Sequence, residues 1–104
     1  MLIRLWTTGF DPERLSELQV FADDVSAPMF AQLPGCLGHL YATEGSQWIT
    51  ASFWRSETDI ELAEASPRYQ DVVAQIQRAG FLRGEPSMQV MKVTGWSPPD
   101  LSDR

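Results

Sequence analysis

The feature that most constrains the fold is a short turn near the middle of the chain. Glu44-Gly45-Ser46 separates two strand-like segments, Cys36 to Glu44 and Trp48 to Arg55. A connection this short joins antiparallel neighbours and predicts a β-hairpin. A helical pattern lies on each side of the hairpin, and an alternating strand pattern lies near each end of the chain.

The first helical pattern begins at Asp11, which has the character of an N-cap, with Pro12 at the first helical position. Its apolar residues recur at three- and four-residue steps as far as Met29. Pro28 is expected to kink or end the helix near Ala27, because proline lacks the backbone N–H.

The second helical pattern has two pieces. Ser56 is the predicted N-cap of the first piece, and Ser66 with Pro67 restarts the helix. Gly80 is the expected stop.

Strands over 2–8 and 87–95 complete the order β-α-β-β-α-β. This order predicts an α+β ferredoxin-like fold, with two helices on one face of a four-stranded antiparallel sheet. The length of 104 residues suits one domain, expected over 1–95, followed by a C-terminal tail over 96–104.

Charge and composition argue against several classes of partner. The net charge is −6, and the eight basic residues, including the single lysine Lys92, are scattered. Nucleic acids and anionic membranes are therefore not expected as partners. No apolar run approaches the roughly 20 residues of a membrane span, and no signal peptide is recognised. Cys36 is the only cysteine, so a cytoplasmic location is expected.

Strand alternation divides the sheet residues into two sets. The set expected beneath the helices is Ile3, Leu5, Ile49, Ala51 and Phe53. The set expected on the other face is Arg4, Trp6, His39, Tyr41, Trp48, Thr50, Ser52 and Trp54. Three tryptophans on a bare face require a cover, and a second copy of the sheet would supply one. A homodimer is therefore expected, with Arg4, Trp6, Tyr41 and Trp48 at the interface.

Residues 33–38, Leu-Pro-Gly-Cys-Leu-Gly, resemble the Pro-Gly-x-x-Gly segment of the antibiotic biosynthesis monooxygenase family. Residues 54–56 and 65–70 also fit, and the resemblance covers roughly residues 1–94. The resemblance implies a dimeric α+β barrel with a pocket between the helices and the sheet of each subunit. Members of the family include small oxygenases that oxidise quinol-like aromatics without metal or flavin.

The resemblance implies that the protein needs no cofactor and binds a small apolar or aromatic ligand. The candidate pocket residues are Thr7, Trp54, Arg68 and Tyr69.

The sequence departs from the family pattern at several positions. Ala63 and Arg68 stand where many members carry histidines, and Ser52 stands where a glutamate is frequent. The triad of the haem-degrading members is also missing, since the nearest residues are Thr7, Ala63 and Val73. These departures keep open an alternative, a non-catalytic dimeric module that binds a small ligand or serves as a partner subunit.

His39, the only histidine, is the candidate general base for deprotonating a phenol or quinol. The alternative is a hydrogen-bonded histidine on an interface strand. With one histidine and one cysteine, no metal site is expected. Cys36 lies three residues before His39, which on a regular strand places the two on opposite faces.

Arg4 has two interpretations, because it lies among aromatic residues. It can bind a carboxylate or stack on a tryptophan, or it can pair with Glu44 or another acid across the dimer. An enzyme requires a closed pocket beside the second helix with at least one polar group pointing inward. A purely apolar or collapsed pocket would exclude the oxygenase interpretation.

Overall fold

The computed structural model describes residues 1–99, which form a four-stranded antiparallel sheet with helices on one face. The strands are β1 (Leu2–Phe10), β2 (Cys36–Glu44), β3 (Gln47–Trp54) and β4 (Leu82–Lys92). Their order across the sheet is β2-β3-β1-β4. The ferredoxin-like fold and the central hairpin are confirmed.

The first helical region is longer than predicted. After a 3₁₀ turn at Pro12–Arg14 it comprises α1 (Leu15–Phe21), a π-helical turn (Ala22–Ser26) and α2 (Ala27–Gln32). Of the two outcomes predicted for Pro28, a kink or an end near Ala27, the end is wrong, because the helix continues to Gln32. The π turn precedes the proline, and such turns loosen the hydrogen-bond ladder that a proline would otherwise break.

The second helical region follows its predicted capping signals. Ser66 separates α3 (Glu57–Ala65) from α4 (Pro67–Ala79). Its hydroxyl accepts a hydrogen bond from the Tyr69 backbone N–H at 3.2 Å, and Ser56 caps α3. Gly80 ends α4 in the left-handed region with φ 78°, which glycine adopts without steric cost.

The last strand begins earlier than the predicted Ser87 and ends at Lys92. Pro86 is tolerated within it because β4 is an edge strand that pairs with β1 alone. Residues 93–99 have no regular secondary structure, and the rest of the predicted tail lies outside the described residues. Within residues 1–99, no helix is both long enough and apolar enough to cross a membrane.

The two faces of the sheet are the reverse of the prediction. Trp48 and Trp54 lie beneath the helices and are 1% and 2% exposed. Their indole N–H groups are paired within the same strand, with Thr50 Oγ1 at 3.0 Å and with Ser52 Oγ at 2.8 Å. The mixed polar and aromatic face is therefore internal, since its polar atoms have partners there.

The core consists of two clusters beneath the helices. One packs Trp54 against Met29, Phe30, Leu33, Ile60, Ala63 and Val72. The other packs Trp48 against Phe10, Leu18, Ala22, Ile76 and Phe81.

The opposite face, here called the open face, is largely aliphatic. By the strand register it presents Ile3, Leu5, Leu40, Ile49, Ala51, Phe53 and Met91. Leu40 and Met91 are 46% and 42% exposed. Trp96 packs edge-on against Phe53, with ring centroids 5.5 Å apart.

Candidate ligand-binding site

A cavity of about 50 Å³ lies between the helices and the internal face of the sheet. The sheet contributes Arg4, Trp6, Tyr41, Trp48 and Thr50. The helices contribute Leu18, Ala22, Ser26, Met29, Phe30, Tyr69, Val72, Val73 and Ile76. The walls are thus mainly aliphatic and aromatic, with a few polar groups, which is the usual character of a small-molecule site.

The π turn forms one wall of this cavity through Ala22 and Ser26. The Tyr41 hydroxyl donates a hydrogen bond to the Ala22 carbonyl at 3.3 Å. Burial, together with the negative charge of Asp23, raises the pKa of Tyr41 to about 12. Tyr41 is therefore a neutral phenol at physiological pH, suited to hydrogen bonding and packing and unsuited to act as a base.

Arg4 supplies the positive charge at the cavity. The residue is 5% exposed, and its Nη2 donates to Glu64 Oε2 at 3.0 Å and to Tyr69 Oη at 2.7 Å. Its guanidinium carbon lies 5.5 Å from the centre of the Tyr69 ring. The Ser66 cap fixes the first turn of α4 and so places Tyr69 beside Arg4. A buried cation held this way can meet an acidic group of a ligand.

The structure brings only one of the four predicted pocket residues, Tyr69, to the cavity. Trp54 belongs to the core cluster beside it. Thr7 pairs with Ile49 and shares the open face with it, on the other side of the sheet. Arg68 is exposed at the start of α4. A one-residue step along a strand or helix turns a side chain to another face, which explains the misplacement of Thr7 and Arg68.

The four residues predicted at the dimer interface all lie inside the subunit. Arg4, Trp6, Tyr41 and Trp48 line the cavity beneath the helices, so the interface prediction for them is wrong. The error follows from the reversed faces. The spacing Trp48-x-Thr50 was the available signal, because a buried indole N–H needs an acceptor on its own face.

His39 lies outside the cavity, in a separate open pocket of about 300 Å³ that also includes Cys36 and Phe30. Its ring stacks on Phe30 with centroids 5.2 Å apart, and burial lowers the pKa of the imidazole. The expectation that Cys36 and His39 occupy opposite faces is wrong, because a register shift between Cys36 and Gly38 breaks the alternation. Burial raises the pKa of the Cys36 thiol, which keeps it protonated.

Sequence reasoning missed Glu64 as a member of the site. Its partner Arg4 is 60 residues away, so no local spacing could signal the pair. Within residues 1–99, no group of three or more His, Cys, Asp or Glu side chains is arranged to hold a metal ion.

Comparison with known proteins identifies the fold. No protein-family model matches the chain, and no curated protein matches it by sequence. Among solved structures, it is similar to the monooxygenase ActVA-Orf6 of Streptomyces coelicolor in complex with nanaomycin D. The TM-score is 0.79 at 22% identity, covering 95% of this chain and 92% of that one. The chain has the fold of the antibiotic biosynthesis monooxygenases.

Two further solved structures are similar to the chain. A variant of SnoaB, a cofactor-independent oxygenase from Streptomyces nogalater, gives a TM-score of 0.73 at 15% identity, covering 94% of this chain and 97% of that one. Rv0793 from Mycobacterium tuberculosis gives a TM-score of 0.72 at 17% identity, covering 93% of this chain and 98% of that one. Identities this low show the fold alone, because one fold can host many different activities.

Proposed function

We propose that this protein is a cofactor-independent monooxygenase that acts on a small, electron-rich, quinol-like aromatic. The observation that carries the proposal is the cavity beneath the helices, in which aromatic and aliphatic walls surround one buried cation, Arg4. A flat apolar ring matches the walls, and the cation favours the deprotonated form of an acidic ligand. The similarity to ActVA-Orf6 and SnoaB, which are described as oxygenases, supports the same reaction class.

The proposed reaction takes its electrons from the substrate. Loss of a proton gives a carbanion-like quinolate, which passes one electron to O2, and the resulting radicals join in a carbon–oxygen bond. Protonation gives a hydroperoxide, and loss of water leaves a carbonyl. One oxygen atom ends in the product and the other in water, so the electrons balance without a further reductant. The protein's part is to bind, orient and desolvate the ring.

The size of the cavity favours a second candidate, a ligand-binding module without catalysis. At about 50 Å³ the cavity is well below the roughly 300–1,000 Å³ of typical ligand pockets, so a bicyclic ring requires the walls to move apart. His39, the predicted base, lies outside it. The polar groups of Arg4, Tyr41 and Tyr69 meet the requirement that an enzyme pocket be partly polar, and for this reason the oxygenase is our first candidate.

Oxygen uptake by the purified protein with a panel of quinols and anthrone-like aromatics tests the proposal. Val73→Phe, which adds a ring to the cavity wall, is expected to abolish protein-dependent uptake. Arg68→Ala changes an exposed residue near the start of the same helix, α4. It is the control and is expected to leave uptake unchanged. Uptake that persists in Val73→Phe would place the chemistry elsewhere, and no uptake with any substrate would favour the binding module.

His39→Ala tests whether His39, which lies outside the cavity, is the base. If a water molecule in the cavity accepts the proton, uptake is expected to survive this change. Uptake that falls to the background rate would support His39 as the base and require that the substrate reach the pocket beside Phe30.

We further propose that the protein is a homodimer formed through the open face. Seven apolar residues from all four strands lie on that face, including the half-buried Ile3, Leu5, Ile49 and Phe53. A contiguous apolar sheet face is unfavourable in water, and a second copy of the same face would cover it symmetrically. The dimer predicted from the sequence is thus retained, on the face opposite to the predicted one.

A further inference from the structure

We infer that the ligand of the cavity carries a carboxylate or an equally acidic oxygen next to its aromatic ring, bound by Arg4 and Tyr69. This inference rests on the proposed site and adds the chemical class of the ligand. It begins from the incomplete pairing of a buried guanidinium.

Arg4 uses only part of its donor capacity within the protein. Nε and Nη2 donate to one oxygen of Glu64, at 3.3 and 3.0 Å, and Nη2 also donates to Tyr69 Oη. Within residues 1–99, Nη1 donates to no protein acceptor, yet the side chain is only 7% exposed. An arginine presents five N–H donors in a fixed fork, so two of them remain available on Nη1.

Nη1 is not sealed inside the core. Within the described residues, no fully buried side-chain nitrogen or oxygen lacks a hydrogen-bond partner. An unpaired Nη1 therefore has some accessible surface, and Arg4 is one of the residues that line the cavity. A cationic donor facing an apolar cavity is a strong site for an anionic acceptor.

Tyr69 supplies a second donor at the same place. Its Oη accepts from Arg4 at 2.7 Å, which directs the hydroxyl hydrogen away from the guanidinium. Within residues 1–99, this hydrogen is donated to no protein acceptor. The two oxygens of a carboxylate can thus be met by Arg4 Nη1 and the Tyr69 hydroxyl, while the ring attached to it contacts Trp6 and Trp48.

Glu64 partly neutralises Arg4 and therefore competes with the ligand anion. Its side chain is 35% exposed, so water stabilises the carboxylate as well and the compensation is incomplete. Removing this charge leaves Arg4 with a net positive charge toward the cavity. The affinity for an anionic ligand is expected to rise when Glu64 is made neutral, and the affinity for a neutral ligand is expected to stay the same.

The test compares 1-hydroxy-2-naphthoate with its methyl ester, two probes of nearly the same shape that differ in charge. Binding is followed by quenching of the intrinsic fluorescence, because Trp6 and Trp48 line the cavity. The acid is expected to bind at least about tenfold more tightly than the ester, as a charge-assisted pair implies. Val73→Phe, which fills the cavity, is expected to remove binding of both probes.

Two variants move the preference in opposite directions. Arg4→Gln is expected to abolish the preference for the acid, and Glu64→Gln is expected to enlarge it several-fold. Glu64 lies at the periphery, so this variant keeps the test decisive if Arg4→Gln fails to fold. Equal binding of acid and ester in the unmodified protein, absence of binding by the acid, or an unchanged preference in Glu64→Gln would overturn the inference.

Failure of this inference and failure of the proposed function give different results. Selective binding of the acid without oxygen uptake on any quinol would support the anion site and refute the oxygenase. Uptake on neutral quinols without preference for the acid would support the oxygenase and overturn the anion site.

Discussion

The two faces of this sheet differ in a way that reverses a common expectation. The internal face carries an arginine, two threonines, a serine and the two most buried tryptophans, whereas the open face is mainly apolar, with Thr7 and Gln89 among its few polar residues. The internal face is stable beneath the helices because its polar groups, apart from Nη1 of Arg4, have partners there, such as Thr50 for Trp48. The open face has fewer polar groups to pair, and part of its apolar surface, including Leu40 and Met91, is exposed in the single chain. Pairing of polar groups, rather than average hydrophobicity, therefore distinguishes the inside of this subunit.

Trp54 and Phe53 are adjacent in β3 but face opposite sides, so they test this comparison directly. Trp54→Ala is expected to lower the free energy of unfolding by about 3–5 kcal/mol, because it leaves a cavity in a closed core. Phe53→Ala is expected to cost much less in the monomer, since its ring is half-exposed there. Urea unfolding at low protein concentration, followed by far-UV circular dichroism, measures both values. Equal losses would show that the open face is as essential to the subunit as the internal one.

A charge on the open face is expected to separate the dimer without unfolding the subunit. Leu5→Lys places an ammonium at the centre of that face, where it would be buried and unpaired against a second copy. Dimer affinity is expected to fall by about a hundredfold or more, since an unpaired buried charge costs about 2–5 kcal/mol. Light scattering across a concentration series measures the mass, with Arg68→Ala as the control.

The same kind of change on the internal face has a different expected outcome. Trp48→Glu, which the sequence alone would have offered as a dimer-breaking change, is expected to unfold the subunit, because Trp48 is 1% exposed beneath the helices. A folded, monomeric Trp48→Glu protein, or a dimeric Leu5→Lys protein, would return the interface to the face predicted from the sequence.

Loss of one polar partner on the internal face is expected to have an intermediate effect. Thr50→Val keeps the shape of the side chain but removes the oxygen that accepts from Trp48 Nε1 at 3.0 Å. The unpaired indole N–H is expected to lower the free energy of unfolding by about 1–3 kcal/mol. Thr7→Val, the same substitution on the open face, is the matched control. Thr50→Val at or above the stability of the unmodified protein would show that the pairing contributes nothing.

The fold was predictable because its signals are local. The caps at Ser56 and Ser66, the stop at Gly80 and the turn at residues 44–46 each depend on neighbouring residues, and all are present in the structure. The end of the first helix was not predictable, because a π turn precedes Pro28 and its contact with the sheet, from Tyr41 to the Ala22 carbonyl, joins residues 19 apart in sequence. Proline alone indicates a break.

The site was less predictable because its contacts are between distant parts of the chain. Alternation separates the strand residues into two sets but does not say which set the helices cover. Arg4 meets Glu64 and Tyr69 only after the helices fold onto the sheet, at separations of 60 and 65 residues. Tyr69 was found because it follows the Ser66 cap in a region that resembles the family. His39 was singled out because it is the only histidine, and the structure places it outside the cavity.

The smallest expected effect concerns His39, the titratable group at the margin of the internal face. Burial lowers the pKa of its imidazole in the folded protein, so the unfolded chain binds its proton more readily. The stability of the subunit is therefore full above the unfolded pKa of about 6.5 and falls as the pH drops through that value. His39→Gln is expected to flatten this part of the dependence between about pH 7 and 5. Thermal unfolding midpoints of the two proteins, compared at each pH, isolate the histidine because the carboxylates are common to both. The neighbouring rings of Phe30 and Tyr41 carry no charge between about pH 5 and 7, so they do not contribute to the difference. If the midpoints of the two proteins change in parallel with pH, His39 is no more desolvated in the folded protein than in the unfolded one.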